Sequence, residues 1–298
     1  MSNAALIAIV GPTASGKSAL ALRIAATLDA EIVNADAFCL YRGMDIGTAK
    51  PTLADRRAVP HHLVDTRDVQ DAVDVVDYRA EARAAIEAIQ KRGRTALLVG
   101  GSGLYVQAVL DDLRFPPTDP QVRQRLEQEL LELGPAAMHE RLARIDPAAA
   151  EVILASNGRR IVRALEVNEV TGESFTATLG PAPEWSPSLR IGWDPGAEHV
   201  DRAIAQRVSM MWEAGFVAEV VGLRERLTRA RTASRAVGYR QILDALDAGE
   251  DPDTAREPTV TATRRLARRQ RTWFRRDQRV HWAQSSSQVE QILGTLES

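Results

Sequence analysis

The chain mixes short unbroken apolar runs with longer amphipathic stretches, and the two patterns predict different elements. Residues 5–10 (ALIAIV) are an apolar run of strand length with no polar face, which predicts a buried strand. The glycine-rich stretch GPTASGKS follows at Gly11–Ser18, and a helical pattern runs from Ala19 to Leu28. A second strand fits Glu31–Asn34 and runs out at Asp36. The Ala- and Glu-rich stretch Asp77–Lys91 is helical by propensity, and Gly93 ends it. Arg94–Val99 predicts another buried strand, closed by Gly100 and Gly101. Strand, helix, strand, helix, strand implies an α/β fold with a parallel sheet covered by helices on both faces.

The pattern changes at Phe115–Pro120 (FPPTDP). From Gln121 to about Thr171 only helical spacing is present. A Pro- and Gly-rich loop (LGPAPEWSPS) follows, then a strand at Leu189–Trp193, a helical stretch from Val200 and a last strand at Arg279–Trp282. This predicts a core of residues 1–115 and 190–298 and a helical insertion of residues 116–189. His61-His62 precedes an apparent strand (LVD) and suits a structural role. The five histidines show no ligand spacing.

Charge adds one feature. The chain has 38 basic and 40 acidic residues, a net charge of −2. Residues 264–281 hold eight arginines and one acid, Asp277, a local +7, so the remainder carries −9. An acidic body with one basic segment suits a polyanionic partner, although a solvated surface helix has the same composition. No apolar run is long enough for a membrane helix, and the start MSNAALIAIVG lacks a secretory pattern. The single cysteine, Cys39, excludes an intrachain disulfide and a Cys-rich zinc site. A cytoplasmic location is the expectation.

The sharpest chemical signal is GxxxxGK[ST] between a strand and a helix. Gly11, Pro12, Thr13, Ala14, Ser15 and Gly16 form a loop whose amides turn toward phosphate oxygens, helped by the helix N-terminus. Lys17 supplies a point charge and Ser18 a hydroxyl for Mg²⁺. Many P-loop hydrolases carry a Mg²⁺-holding acid after a later strand. Here TALLV runs into Gly100-Gly101-Ser102-Gly103, which has no acid. Asp36, after the second strand, is the nearest candidate, with a turn or helix-cap acid as the alternative. Group transfer to a second substrate is therefore favoured over simple hydrolysis.

In the basic segment, Arg264, Arg268, Arg271 and Arg275 fall within a stripe about 60° wide at helical spacing. Leu266, Trp273 and Phe274 project to the other side, which predicts a core-facing stripe beneath an arginine row suited to a phosphate backbone.

Six motifs occur in order: GPTASGKS, NADAFCLYRGMDIGTAKP (Asn34–Pro51), GGSGLY (Gly100–Tyr105), GRRIVRALEV (Gly158–Val167), AVGYRQ (Ala236–Gln241) and RRLARRQRTWFR (Arg264–Arg275). Together they resemble the tRNA dimethylallyltransferases, from about Ala5 to Trp282. The resemblance implies a P-loop kinase-like core, a helical insertion on the anticodon stem-loop, and a monomer. It implies transfer of a dimethylallyl group from dimethylallyl diphosphate to N6 of adenine 37 in tRNAs reading codons that begin with U. On this pattern Asp36 is the proton acceptor, and Lys17, Mg²⁺ and Ser102 serve the leaving diphosphate. Arg202 and Arg207 are further diphosphate candidates, with a surface helix charge as the alternative.

Contacts to tRNA are implied at Asp36, Ala37, Phe38, Cys39 and Ser102. Further contacts are implied at Arg123, Arg159, Arg160, Ile161, Val162 and Arg163. The remainder are Arg235, Gly238, Tyr239, Arg240, Gln241, Arg264, Arg268, Arg269, Gln270, Arg271 and Arg275. Ser102 stands where the family usually has Thr. Ala37 through Leu40 departs from the family's more frequent Ser-x-Gln-x. A small-molecule kinase using ATP and a prenyltransferase acting on free adenine nucleotides are the alternatives.

Overall fold

The computed structural model describes residues 5–176 and 182–295. Part of the Pro- and Gly-rich loop, Leu179 to Pro181, lies outside the described residues. Six strands form one all-parallel sheet: β1 (Leu6–Val10), β2 (Ala30–Asn34), β3 (His61–His62), β4 (Thr95–Gly100), β5 (Leu189–Trp193) and β6 (Val280–Ala283), in the order β3-β2-β4-β1-β5-β6. All five β1 residues are buried, as a central parallel strand covered on both faces requires. Helix α1 (Lys17–Leu28) packs Leu20, Ala21, Ile24 and Ala25 into the same apolar cluster as Ile7, Ile9, Leu97 and Ile191.

Parallel pairing places the carboxyl ends of the strands together. Val10 lies opposite Gly100, and Asn34 opposite Val99. The loop after β1, the turn after β2 and the glycines after β4 therefore emerge side by side, the usual place for a ligand in an open α/β sheet.

One strand is misplaced by sequence reasoning. His61-His62 is itself β3, and Leu63-Val64-Asp65 is not a strand. Leu63 (φ 59°) and Asp65 (φ 58°) take left-handed backbone, which ends pairing after two residues. His62 Nε2 meets the buried Glu31 carboxylate at 2.6 Å.

The chain divides into two compact units, Met1–Leu110 with Ser186–Ser298, and Asp111–Trp185. Besides α1 and the sheet, the first contains α2 (Leu53–Ala58), α3 (Val75–Lys91), α4 (Gly103–Leu110), α8 (Ala197–Glu213), α9 (Phe216–Thr228), α10 (Tyr239–Asp247), α11 (Arg256–Phe274) and α12 (Ser286–Gly294). The second has helices and no named strand among the described residues: α5 (Pro120–Ile145), α6 (Pro147–Val152) and α7 (Gly158–Thr171). Its core gathers Leu126, Met138, Leu142, Ile161 and Leu165. Gly134 (φ 77°), before Pro135, breaks α5 into two segments.

Candidate active site

The loop between β1 and α1 has the backbone its glycines allow. Gly11 has φ 145° and Gly16 φ 89°, and Ala14 between them is also left-handed at φ 60°. A Cβ on Gly11 would lie 2.2 Å from the Trp193 carbonyl oxygen, so β5 excludes a side chain there. Two long-range bonds brace the loop. The Trp193 Nε1–H donates to the Ser15 carbonyl (2.6 Å), and the Thr13 N–H donates to Gln270 Oε1 (2.7 Å). Lys17, the first residue of α1, donates from Nζ to the Pro12 carbonyl at 2.6 Å.

Asp36 sits just past β2, in a turn held from several sides. The Asn34 side chain brackets it, accepting from the Asp36 N–H (3.0 Å) and donating to the Asp36 carbonyl (3.0 Å). Asp36 Oδ1 accepts from the Phe38 N–H at 3.0 Å. Ser102 Oγ accepts from the Ala37 N–H at 3.2 Å, and the Ser102 N–H donates to the Ala35 carbonyl at 3.3 Å. A Cβ on Gly100 would stand 2.1 Å from that carbonyl. The absence of an acid at the end of β4 thus has a steric cause, because the Ala35–Ala37 turn occupies the space.

These groups surround one cavity of about 330 Å³, lined by Thr13, Lys17, Ser18, Asp36, Arg207 and Gln270 among others. Burial and the Arg207 cation lower Lys17 to about 7, and only Asp36 pulls it back up. Burial raises Asp36 above the usual carboxylate range, against the Phe38 N–H, Lys17, the Cys39 N–H and Arg207. Arg207, which donates to Thr13 Oγ1 at 3.3 Å, is lowered by burial. Two cations and one carboxylate thus share a partly dehydrated site. It suits a bound polyanion beside a proton acceptor.

Residues 39–277 match the family model described as IPP transferase. The chain belongs to the IPP transferase family. It is similar to a Kineococcus radiotolerans protein named tRNA dimethylallyltransferase, 55% identical over 287 residues, with 94% of this chain and 90% of that one covered. Among solved structures it is similar to the full-length tRNA isopentenylpyrophosphate transferase of Bacillus halodurans, at TM-score 0.71 and 35% identity, covering 99% of this chain and 95% of that one. It is also similar to a eukaryotic dimethylallyltransferase acting on tRNA, at TM-score 0.74 and 25% identity, covering 90% and 69% respectively.

In this IPP transferase the residues singled out from the sequence separate into groups. Thr13, Ala14, Gly16, Lys17, Ser18, Asp36, Cys39, Arg207 and Gln270 line the cavity, and Ser102 holds the Ala35–Ala37 turn beside Asp36. Arg202 is exposed on α8 and does not line it. The arginine stripe on α11 is only partly free. The buried positions are Thr259, Val260, Ala267, Gln270 and Phe274, so the core-facing side is centred about 55° round the helix from the expected one. Arg271 therefore lies at the rim and makes a two-pronged ion pair with the buried Asp194 (2.5 and 2.8 Å). Arg264 is half-buried, Arg275 lies 3.8 Å from Asp194, and Arg268 and Arg269 are exposed. Trp273, expected in the core, is 40% exposed, and its indole crowds Gly103 closely enough (2.4 Å) to exclude a Cβ.

Other expected RNA contacts have internal partners. Ile161 and Val162 are buried in the core of the second unit. Arg123 and Arg163 both pair with the fully buried Glu166, and Arg163 also donates to the Pro116 and Pro117 carbonyls. Arg159 and Arg160 are exposed at the start of α7. Tyr239 is fully buried, edge-on to Phe216, and donates its hydroxyl to Glu219. The same carboxylate accepts the N–H groups of Asp45, Ile46 and Gly47 (2.8–3.2 Å). The Gly238 N–H is capped by Gln241 Oε1 (2.7 Å), so the AVGYRQ segment braces the Asp45–Gly47 loop. Arg235 and Arg240 on that segment remain exposed.

Sequence reasoning missed Asn34, Trp193 and Asp194. Each acts through a partner set by the fold; Asn34 opens the NADAFCLYRGMDIGTAKP motif, but nothing in that motif shows what its side chain holds. For a metal, no group of three or more His, Cys, Asp or Glu side chains gathers among the described residues. Mg²⁺ suits this donor set in one way: the ion retains several waters and binds substrate phosphates with few protein ligands. Ser18, next to Lys17 among the residues lining the cavity, would be the one to hold it.

Proposed function

We propose that this IPP transferase moves a dimethylallyl group from dimethylallyl diphosphate to N6 of the adenine beside the anticodon of tRNA, adenine 37. The observation that carries the reading is the meeting of Lys17 and Arg207 with Asp36 in one cavity. The two cations and the loop amides hold the diphosphate, and Asp36 faces the nucleophile. Relatives named for this activity support it, as does the eukaryotic enzyme acting on tRNA. The kinase alternative has no such support.

The exocyclic amine attacks C1 of the prenyl chain while the C1–O bond breaks and the electron pair leaves with the diphosphate. The proton from N6 passes to Asp36. Its raised pKa makes it a stronger base than an ordinary carboxylate. Lys17, Arg207 and the loop amides face the oxygen that gains charge, so they stabilise the transition state more than the ground state. Ser18 would hold a Mg²⁺ ion, which would supply further charge neutralisation to the diphosphate. Ser102 acts through the Ala37 amide and holds the turn. On α11, Arg268 and Arg269 offer exposed cations to RNA phosphates, as do Arg159 and Arg160 in the second unit. No helix of the described residues is long and apolar enough to cross a membrane, and a tRNA substrate suits an enzyme of the cytoplasm.

The test is Asp36→Asn under single-turnover conditions. Asn retains an oxygen for the Phe38 N–H, so the turn is kept. We expect the chemical step to slow by about 10²–10⁴ while tRNA affinity changes little. An unchanged rate removes Asp36 from the mechanism.

A further inference from the structure

Asn34 ends β2 and is nearly buried, yet its side chain lines the same cavity as Asp36. An amide offers two donor hydrogens and an acceptor oxygen, and all are in use here. The Nδ2 hydrogens go to the Asp36 carbonyl (3.0 Å) and the Leu63 carbonyl (2.9 Å), and Oδ1 takes the Asp36 N–H (3.0 Å). Both peptide groups of Asp36 are thereby fixed by one side chain, which leaves its backbone torsions little freedom. The anchor is itself held: the buried Tyr78 hydroxyl donates to the Asn34 carbonyl at 2.8 Å. Leu63, the second acceptor, is in left-handed backbone just after β3. The turn carrying Asp36 is thus tied to the neighbouring strand's exit loop.

We propose that the Asn34 carboxamide is a positioning residue for the reaction, setting the direction in which the Asp36 carboxylate meets the adenine amine. This inference rests on Asp36 being the proton acceptor. Neither neighbour in the turn duplicates the role. Ser102 holds Ala37, and the Phe38 N–H holds one carboxylate oxygen, but only Asn34 grips the Asp36 main chain on both sides. Misplacing a reacting group by about 1 Å costs up to about 100-fold in rate, so the effect belongs in the chemical step.

The experiment compares wild type, Asn34→Ala, Asn34→Ser and Asp36→Asn with dimethylallyl diphosphate and an unmodified anticodon stem-loop, with melting temperatures recorded for each. For Asn34→Ala we expect kcat to fall by about 10- to 100-fold, with KM for the prenyl donor within about twofold of wild type, because the phosphate loop is untouched. Asn34→Ser, which keeps one donor and one acceptor, should fall between the two. The acidic limb of the kcat–pH profile should move down in Asn34→Ala. A loosened Asp36 is better hydrated, which undoes part of the upward push of burial, while Lys17, Arg207 and Cys39 still face it. A purely structural Asn34 would lower the melting temperature and leave that limb in place.

Wild-type kcat and an unmoved limb in folded Asn34→Ala overturn the proposal, as does a raised donor KM at unchanged kcat. Should Asn34→Ala fail to fold, the same criteria apply to Asn34→Ser. Asp36→Asn separates the two levels. If it is slow while Asn34→Ala is fast, only the positioning role fails. If both run at the wild-type rate, the proton-acceptor reading fails with it.

Discussion

The depressed Lys17 ammonium makes donor binding depend on pH in a way that can be worked out in advance. In the ligand-free cavity, burial and Arg207 bring Lys17 to about 7, against a pull upward from Asp36. A diphosphate needs the charged form. Its apparent Kd should therefore rise by the factor 1 + 10^(pH − 7), with the lysine value of about 7 as the pivot. Between about pH 6.5 and 8.5 this amounts to roughly 25-fold, or about 1.9 kcal/mol. The assay is calorimetric titration with dimethylallyl diphosphate in buffers of different ionisation enthalpy. Net proton uptake should approach one per ligand at the alkaline end and fall toward zero at the acidic end. Lys17→Arg keeps its charge throughout and should show nearly flat affinity. Asp36→Asn removes the carboxylate that raises Lys17, so its rise in Kd should begin at lower pH. The folding linkage has a definite sign. The folded value lies below the unfolded one, so between about 7 and 10.5 the unfolded chain binds more protons. Ligand-free stability from this group therefore increases with pH across that window. A wild-type Kd that is flat with pH, with no proton uptake, would refute the reasoning.

Arg271→Gln should destabilise the fold by about 3 kcal/mol in chemical denaturation, since it strands the buried Asp194 carboxylate. Adding Asp194→Asn to that variant should recover part of the loss, and additive losses would mean that the pair is not coupled. The exposed arginines behave differently. Replacing Arg268 and Arg269 together by Gln should leave stability nearly unchanged and flatten the salt dependence of tRNA binding by about 1.4 in log–log slope, at about 0.7 per single-stranded phosphate contact. Fluorescence anisotropy over a salt series reads this, and parallel slopes would leave α11 a solvated face.

Local signals made the centre of the molecule legible from the sequence. The run behind β1 is a fully buried strand and the one behind β4 is buried from Ala96 onward, and unbroken apolar composition is what a doubly covered parallel strand needs. The phosphate loop is contiguous, so its glycine spacing and its strand-helix context could be seen together. What stayed hidden depends on distant partners. Asp194 captures Arg271 from 77 positions away, and helical spacing carries no trace of the strand end that provides it. The resemblance implies Gln270 as an RNA contact, and helical spacing carries no sign that it accepts an N–H from the phosphate loop 257 positions earlier. Tyr239 is part of a motif that resembles an RNA contact, but Glu219 turns its hydroxyl inward. β3 escaped notice because two histidines have no strand pattern. Left-handed Leu63 stops the apolar residues after them from pairing.

The central claim is transfer of a prenyl group to one tRNA adenine, and its product can be weighed. The protein is incubated with dimethylallyl diphosphate, Mg²⁺ and unmodified tRNA, and the RNA is digested for nucleoside mass analysis and for mapping of the modified position. The account predicts adenosine heavier by C5H8, confined to the position beside the anticodon, with one diphosphate released per modification. Unmodified adenosine in the tRNA, together with a prenylated free adenine nucleotide or with consumption of ATP, would contradict it.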